Sequence, residues 1–330
     1  MRFVVLGAGA IGGAVGGRLF QQGFDVTLVA RGEHGRALRS GLVLEDPKEA
    51  ATLPIPAVED VGDVSWEGDA DGDVVVLVAV KGQHTDHALA QLINASAPST
   101  TPVVCMQNGV ENERRALRHF PRTFGMCVMC PASQLQPGVV QVHSAPVSGL
   151  LDLGCFPHGL DAQAQAIADA IDATTFESVA RPDIMRWKYR KLLMNLANAV
   201  EALCGPGARF SPLAKEVQRE GKEALAAAGI EAVSSEEDHK RRGDHLQMAA
   251  TASGEWQGGS SWQSLARGAG SIEAEYLNGE IALLGGLHGV PTPVNELLER
   301  LALQAASKGT PPGSMRLEDL SKMAGMPSVG

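Results

Sequence analysis

Several things are scarce in this chain of 330 residues, and each scarcity closes off a class of function. Positive charge is in deficit: 28 Lys and Arg stand against 38 Asp and Glu, a formal net charge of −10. Binding a nucleic acid draws on clustered cations that neutralise phosphates, so this balance argues against such a partner. The one short basic run, Lys240-Arg241-Arg242, follows the acids Glu236, Glu237 and Asp238 and reads as a solvated face. No apolar run is long enough to span a bilayer, and no membrane partner is expected. The opening Met1-Arg2-Phe3-Val4-Val5-Leu6 enters a glycine loop at once, without the regions of a signal peptide. The expected location is cytoplasmic.

Cysteine is sparse and odd in number: Cys105, Cys127, Cys130, Cys155 and Cys204. That excludes a disulfide framework. Cys127-Val128-Met129-Cys130 has the spacing of a redox dithiol, but such a pair is activated at a helix N-terminus. Here it lies in an apolar, strand-like run, so the thiols read as structural. The nine histidines show no metal-ligand spacing beside Cys or carboxylates, and no metal site is expected. Internal repeats are also absent.

What remains is an ordinary globular composition, 44% apolar and 20% charged, long enough for two cores. The first half alternates apolar runs with helical patterns, as a doubly wound parallel sheet of the α/β class does. Strands are expected at Phe3–Leu6, Asp25–Ala30, Asp73–Val80 and Pro102–Met106, with further strand-like runs at Val139–Val142 and Gly149–Leu153. Helices are expected at Ile11–Gln22, Thr85–Ile93 and Ala162–Ala173. From about Asp183 helical patterns dominate: Trp187–Leu203, Leu213–Ala228, Glu273–Leu287 and Asn295–Ser307. The division is expected near 178–182, giving a dinucleotide-binding domain over 1–180 and an all-helical domain over 181–330. The tail from Gly309, rich in proline and glycine, is expected to be loosely held.

Gly7-Ala8-Gly9-Ala10-Ile11-Gly12 is a G-x-G-x-x-G run between a strand and a helix. Its first glycine permits a tight turn, its second lets backbone approach a pyrophosphate, and its third lets helix and strand pack closely. The helix N-terminus then offers N–H groups and partial positive charge to phosphates. The end of the second strand selects the dinucleotide. An NAD site places an acid there for the ribose hydroxyl, whereas this chain reads Leu28-Val29-Ala30-Arg31-Gly32. Arg31 can fork onto a 2′-phosphate, so NADPH is the expected cofactor.

In the helical half, Arg190-Lys191-Leu192-Leu193-Met194-Asn195-Leu196-Ala197-Asn198 is mostly apolar yet carries Lys191, Asn195 and Asn198. On one continuous helix these three fall within an arc of roughly 60°. A lysine there either snorkels to the surface or serves as a proton donor for the alkoxide formed when hydride reduces a ketone. Partial burial lowers such a lysine's pKa toward the working pH. Lys81 follows the third strand and Asn108 the fourth, at the strand ends where doubly wound sheets bind ligands.

With these residues the chain resembles the ketopantoate reductase (2-dehydropantoate 2-reductase) family. The likeness extends through Ser260-Ser261, Ile272-Glu273-Ala274-Glu275-Tyr276-Leu277-Asn278-Gly279 and His288-Gly289-Val290-Pro291-Thr292-Pro293, over roughly 1–305. It implies a Rossmann domain followed by a helical one, with the active site in the cleft between them. It also implies reduction of 2-dehydropantoate to (R)-pantoate by NADPH, a step toward pantothenate and coenzyme A. Lys191 matches the lysine that protonates the carbonyl, and Glu273 the active-site glutamate near cofactor and lysine. Ser261 matches the group binding the substrate carboxylate, and Asn195 the one binding its hydroxyl. Lys81 and Asn108 match residues contacting the nicotinamide end and the substrate. A homodimer is one assembly open to such a chain.

Departures from the family pattern lie in the helical half. Where the family carries a second asparagine followed by proline, this chain has Ala199 and Val200, with Asn198 one residue earlier. Where the family reads Asn-x-Ser-Ser-Met with a later aspartate, it has Gly258-Gly259-Ser260-Ser261-Trp262 and Leu265. Two alternatives therefore stay open: a reductase of another 2-oxo acid or small ketone, and an NADP-binding sensor without turnover.

Overall fold

A computed structural model describes residues 1–66 and 73–326. The strands are β1 (Arg2–Leu6), β2 (Asp25–Val29), β3 (Leu42–Glu45), β4 (Ala50–Leu53), β5 (Ala57–Val58), β6 (Val74–Val78), β7 (Val103–Cys105), β8 (Thr123–Met129), β9 (Ala132–Ser133), β10 (Val139–Val142), β11 (Gly149–Cys155) and β12 (Phe176–Glu177). The helices of the same region are α1 (Ala10–Gln21), α2 (Gly32–Leu38), α3 (Thr85–Asn94), α4 (Asn112–Leu117) and α5 (Ala162–Asp172). They are followed by α6 (Ile184–Asn195), α7 (Asn198–Cys204), α8 (Pro212–Ala227), α9 (Ser235–Arg242), α10 (Ser260–Ala266), α11 (Ala274–His288), α12 (Pro293–Ser307) and α13 (Leu317–Met323).

The chain divides into two compact units: 1–188 with 234–256, and 189–233 with 257–330. In the first, eight strands form one sheet in the order β12-β11-β8-β7-β6-β1-β2-β5. Val-rich runs such as Val74–Val78 are buried along their whole length, as strands covered on both faces require. The strand order reverses at β1, which pairs parallel with β2 on one side and β6 on the other. Ligands of open α/β sheets bind at such a switch point. The sheet is not wholly parallel as expected: β11 runs antiparallel to β8. A smaller sheet, β4-β3-β10-β9, stands beside it.

Residues 234–256 belong to the first unit although the sequence places them among helices of the second. Long-range charge pairing draws them there. Arg241 donates to both carboxylate oxygens of Asp152, on β11, and its Nη1 lies 3.0 Å from Glu177. The Ser253 hydroxyl and N–H both donate to Glu45, on β3.

The expected single helix over Trp187–Leu203 is two, broken within the second unit at Leu196–Ala197. The break meets a side chain from far along the chain. Asn278, on α11 and fully buried, donates from Nδ2 to the Leu196 carbonyl at 3.2 Å and to Asn295 Oδ1 at 3.0 Å. Asn295 donates in turn to Glu220, whose carboxylate also accepts the N–H groups of Val294 and Asn295 at the start of α12. The tail, expected to be loose from Gly309, is pinned through its described residues. The N–H groups of Gly313 and Met315 donate to the carbonyls of Ala202 and Leu203, and Leu320 is fully buried. Among the described residues no helix is long and apolar enough to cross a membrane.

Candidate functional site

The glycine loop lies at the switch point between β1 and α1. Gly7 has φ +103°, and a Cβ there would sit 2.7 Å from the Val80 nitrogen, so only glycine fits without strain. A Cβ on Gly12 would lie 2.2 Å from the Gly7 carbonyl oxygen, which enforces the close helix–strand approach. At Gly9, by contrast, a Cβ would meet nothing within 4 Å. The loop is therefore closed at its two ends and open in the middle, the form of a pyrophosphate cradle. The N–H groups of Gly7 and Ala8 donate to the Val29 carbonyl, tying the loop to the end of β2. No side chain caps the first turn of α1. Those residues fit a dinucleotide.

A pocket beside the loop is lined by Gly7, Ala30, Arg31, Val80, His87 and Gln91, among others. Arg31, at the N-cap of α2, places Nη1 3.1 Å from the His87 ring nitrogen. Glu59 stands in the same wall, but Arg39 holds its carboxylate at 2.7 Å. The pocket thus offers a guanidinium and the imidazoles of His84 and His87, with its one carboxylate already neutralised. This chemistry suits a phosphate better than a ribose hydroxyl.

One residue of this region was not visible in the sequence. His34 accepts the Gly138 N–H at Nδ1 (2.9 Å), which leaves Nε2 as the donor to the Ala8 carbonyl at 2.7 Å. A ring from α2 thereby holds the glycine loop. Nothing in the local sequence links His34 to residue 138; only the fold does.

The expected Lys81 and Asn108 lie on neighbouring loops, after β6 and β7, and side chains brace those loops together. Gln107 Nε2 donates to the Val80 carbonyl (2.7 Å) and to Thr85 Oγ1 (2.8 Å). Thr85 donates to Asn112 Oδ1 (2.8 Å), and Asn112 donates back to the Asn108 carbonyl (3.1 Å). The Arg115 guanidinium donates to the Gly82 carbonyl at 2.9 Å. Two loop residues named from sequence position are thus set on one rigid support.

The remaining expected residues belong to the second unit. Lys191 is half-buried on α6, one turn before the buried Asn195. Asn198 opens α7 rather than continuing α6, so the single-helix arc drawn for the three residues does not hold. Asn198 and Glu201 instead approach the start of α10. Glu201 Oε2 accepts the Gly259 N–H at 3.3 Å, and a Cβ on Gly259 would lie 2.8 Å from that oxygen and 3.6 Å from Asn198 Oδ1. Ser261, in the first turn of α10, is 3% exposed. The structure therefore brings the segments of Asn198 and Ser261 together. Burial pushes the Glu201 carboxyl up, against the pull of Arg209 at 3.7 Å.

Glu273 is buried at the N-cap of α11. Burial holds Arg267 below its ordinary value, and the Glu273 charge acts in the opposite sense. The sequence singled out neither Glu201 nor Arg267, because each gains meaning only from helices elsewhere in the chain. Among the described residues no group of three His, Cys, Asp or Glu could hold a metal ion.

Residues 3–158 match the family described as Ketopantoate reductase PanE/ApbA, and residues 183–305 match Ketopantoate reductase PanE/ApbA C terminal. A 2-dehydropantoate 2-reductase of Halobacterium salinarum is 30% identical over 324 residues, 94% of this chain and 100% of that protein. A 2-dehydropantoate 2-reductase of Pyrococcus horikoshii is 30% identical over 203 residues, which spans 62% of that relative's length, under two thirds, and 60% of this chain. Among solved structures, a PanE/ApbA family ketopantoate reductase from Ralstonia eutropha has a TM-score of 0.77 at 25% identity, covering 94% of this chain and 99% of that one.

Proposed function

From the chain's membership of the ketopantoate reductase family, we propose that it reduces a 2-oxo acid with NADPH, 2-dehydropantoate being the first substrate to name and (R)-pantoate the product. The observation that carries this reading is the glycine cradle opening beside a pocket that holds Arg31. In it, Gly7, Ala8, Gly9, Ala10, Ile11 and Gly12 hold the pyrophosphate, and Arg31 holds the 2′-phosphate. Lys81 and Asn108 take the nicotinamide end, and Glu273 is read as the family's active-site glutamate.

NADPH, when bound, supplies the hydride that reduces the ketone carbon. The chain's own residues do the rest. Lys191 delivers the proton to the ketone oxygen, a role in which general acid catalysis is worth about 10²–10⁴ in rate. Ser261 binds the substrate carboxylate, and Asn195 and Asn198 offer amides to its hydroxyl. Glu273 holds the polar environment in which that proton moves.

A second reading, reduction of a different 2-oxo acid or small ketone, is favoured by the start of α10. A Cβ at Gly258 would lie 2.7 Å from Trp262 Cγ, so the ring takes the space that a side chain at 258 would need. Ala199 and Leu265, apolar where the family pattern is polar, are buried as well. Steady-state assay of the purified protein with NADPH and 2-dehydropantoate separates the readings. A kcat/KM above about 10⁴ M⁻¹s⁻¹, the low end for ordinary enzymes, supports the first. A value far below it, with another 2-oxo acid reduced faster, supports the second; binding of NADPH with no reduction across a broad panel overturns both.

A further inference from the structure

The first unit contains a buried ion pair that the proposed reaction does not use. Lys188, on α6, is 3% exposed, and Glu113, on α4, is fully buried; their Nζ and Oε1 are 2.6 Å apart. The strand between them makes room by being glycine: a Cβ at Gly125 would lie 3.3 Å from Lys188 Cδ and 3.4 Å from Glu113 Oε1. Burial pushes the Glu113 carboxyl up and the Lys188 charge opposes it, while the nearby Cys105 thiol is pushed well up by burial and by Glu113.

Such a pair is a poor device for stability alone. Desolvating two charges offsets most of their attraction, and an apolar pair of similar volume often serves as well. What an apolar pair cannot do is donate hydrogen bonds. The Lys188 ammonium has three N–H groups, and beyond Glu113 it reaches two main-chain acceptors. It donates to the Gln107 carbonyl at 2.9 Å and to the Met126 carbonyl at 3.2 Å. Gln107 lies two residues past the end of β7, immediately before Asn108, and Met126 lies within β8. The ammonium therefore joins the main chain of the loop after β7 to the interior of the neighbouring strand. The Gln107 side chain holds the same residue to the loop after β6.

We propose that Lys188 is a positioning residue: its buried Nζ, held against Glu113, fixes the main chain at Gln107 and so sets Asn108 for the nicotinamide end of the dinucleotide. This rests on the proposed function insofar as Asn108 contacts that end. Lys188 itself touches neither cofactor nor substrate. Its loss leaves the glycine cradle and Arg31 intact, so NADPH affinity is little changed. The cost falls on alignment of the reacting ring, where displacement of about 1 Å can lower the rate about 10²-fold.

The test uses the full-length protein in two forms, Lys188→Met and the double variant Lys188→Met/Glu113→Leu. The double variant leaves no unpaired buried charge, so it folds even where the single variant does not. Three quantities are measured: kcat against NADPH dissociation constant, the primary isotope effect with NADPH deuterated at the transferred position, and amide hydrogen exchange over residues 106–112. The expected result for the double variant is a folded protein with a cooperative thermal transition and an unchanged dissociation constant. Its kcat falls about 10²-fold, and the isotope effect rises as hydride transfer becomes limiting. Exchange over 106–112 quickens about ten-fold, the scale of one lost charge-assisted hydrogen bond. Wild-type kcat and isotope effect in the double variant overturn the proposal, as does unchanged exchange over 106–112. If the wild-type protein reduces no 2-oxo acid, the functional reading fails by itself, and the exchange measurement still decides whether Lys188 fixes this loop.

Discussion

Arg31→Asp exchanges a positive for a negative charge on the wall of the pocket beside the glycine loop. Arg31 is exposed, so water sets the dielectric. A unit charge pair about 4 Å apart is then worth about 1 kcal/mol, and about four times that at an effective dielectric near 20. A phosphate monoester carries a charge of about −1.5 to −2 near neutral pH. At the watery limit, losing the attraction and adding a repulsion of equal size comes to about 3–4 kcal/mol, or about 10²–10³-fold in kcat/KM for NADPH. Glu59 does not blunt the change, because Arg39 already pairs with it at 2.7 Å. NADH has no 2′-phosphate, and the new carboxylate can accept from its ribose hydroxyl for about 0.5–1.5 kcal/mol. The ratio of NADPH to NADH efficiency therefore falls about 10³-fold. Initial rates with each cofactor at low ionic strength, where charge effects are least screened, give that ratio directly. A ratio unchanged by the substitution refutes the reasoning; a drop of less than about ten-fold moves the discrimination to His84 and His87.

The break between α6 and α7 is predicted to depend on Asn278. Asn278→Leu leaves two buried acceptors, the Leu196 carbonyl and Asn295 Oδ1, without their donor. That lowers the thermal midpoint by about 5–15 °C, and a circular-dichroism melt within a degree of wild type would contradict it. Glu45 ties the segment at Ser253 to the first unit and gives a pH signature. Burial alone raises its pKa, but hydrogen bonds from Ser253, Gln141 and Thr251 outweigh it, and the folded value is lowered from 4.5. Its contribution is therefore complete above 4.5 and lost as pH falls through the lower folded value. Glu45→Gln is predicted to be less stable than wild type at neutral pH, with the two melting curves converging on acidification; a constant gap across that range removes Glu45 from the account.

The sequence made legible whatever a short stretch of backbone decides. The strand–glycine–helix geometry of residues 3–22 is a local steric problem, and Gly7 and Gly12 are the residues that solve it. Arg31 could be placed beside the glycine loop because it follows β2 directly, and it lines the pocket there. The α11 and α12 helices fell within two residues of their expected starts, since their apolar period and flanking prolines are local signals. What escaped was decided at long range. At the break of Leu196–Ala197, the Leu196 carbonyl meets Asn278, 82 residues away. The return of residues 234–256 to the first unit depends on Arg241 reaching Asp152 across 89 residues. The tail looked loose by composition, yet it is held by two carbonyls at the end of α7. His34, Lys188 and Glu201 carry no motif, and each acquires a role only from the main chain that the fold brings to it.

Replacing Lys191 by alanine tests the central claim most directly. The account predicts that kcat with NADPH and the best 2-oxo acid falls about 10²–10⁴-fold, while the dissociation constant for NADPH stays within about three-fold of wild type. A variant that turns over at the wild-type rate would contradict it and leave the chain without its proton donor.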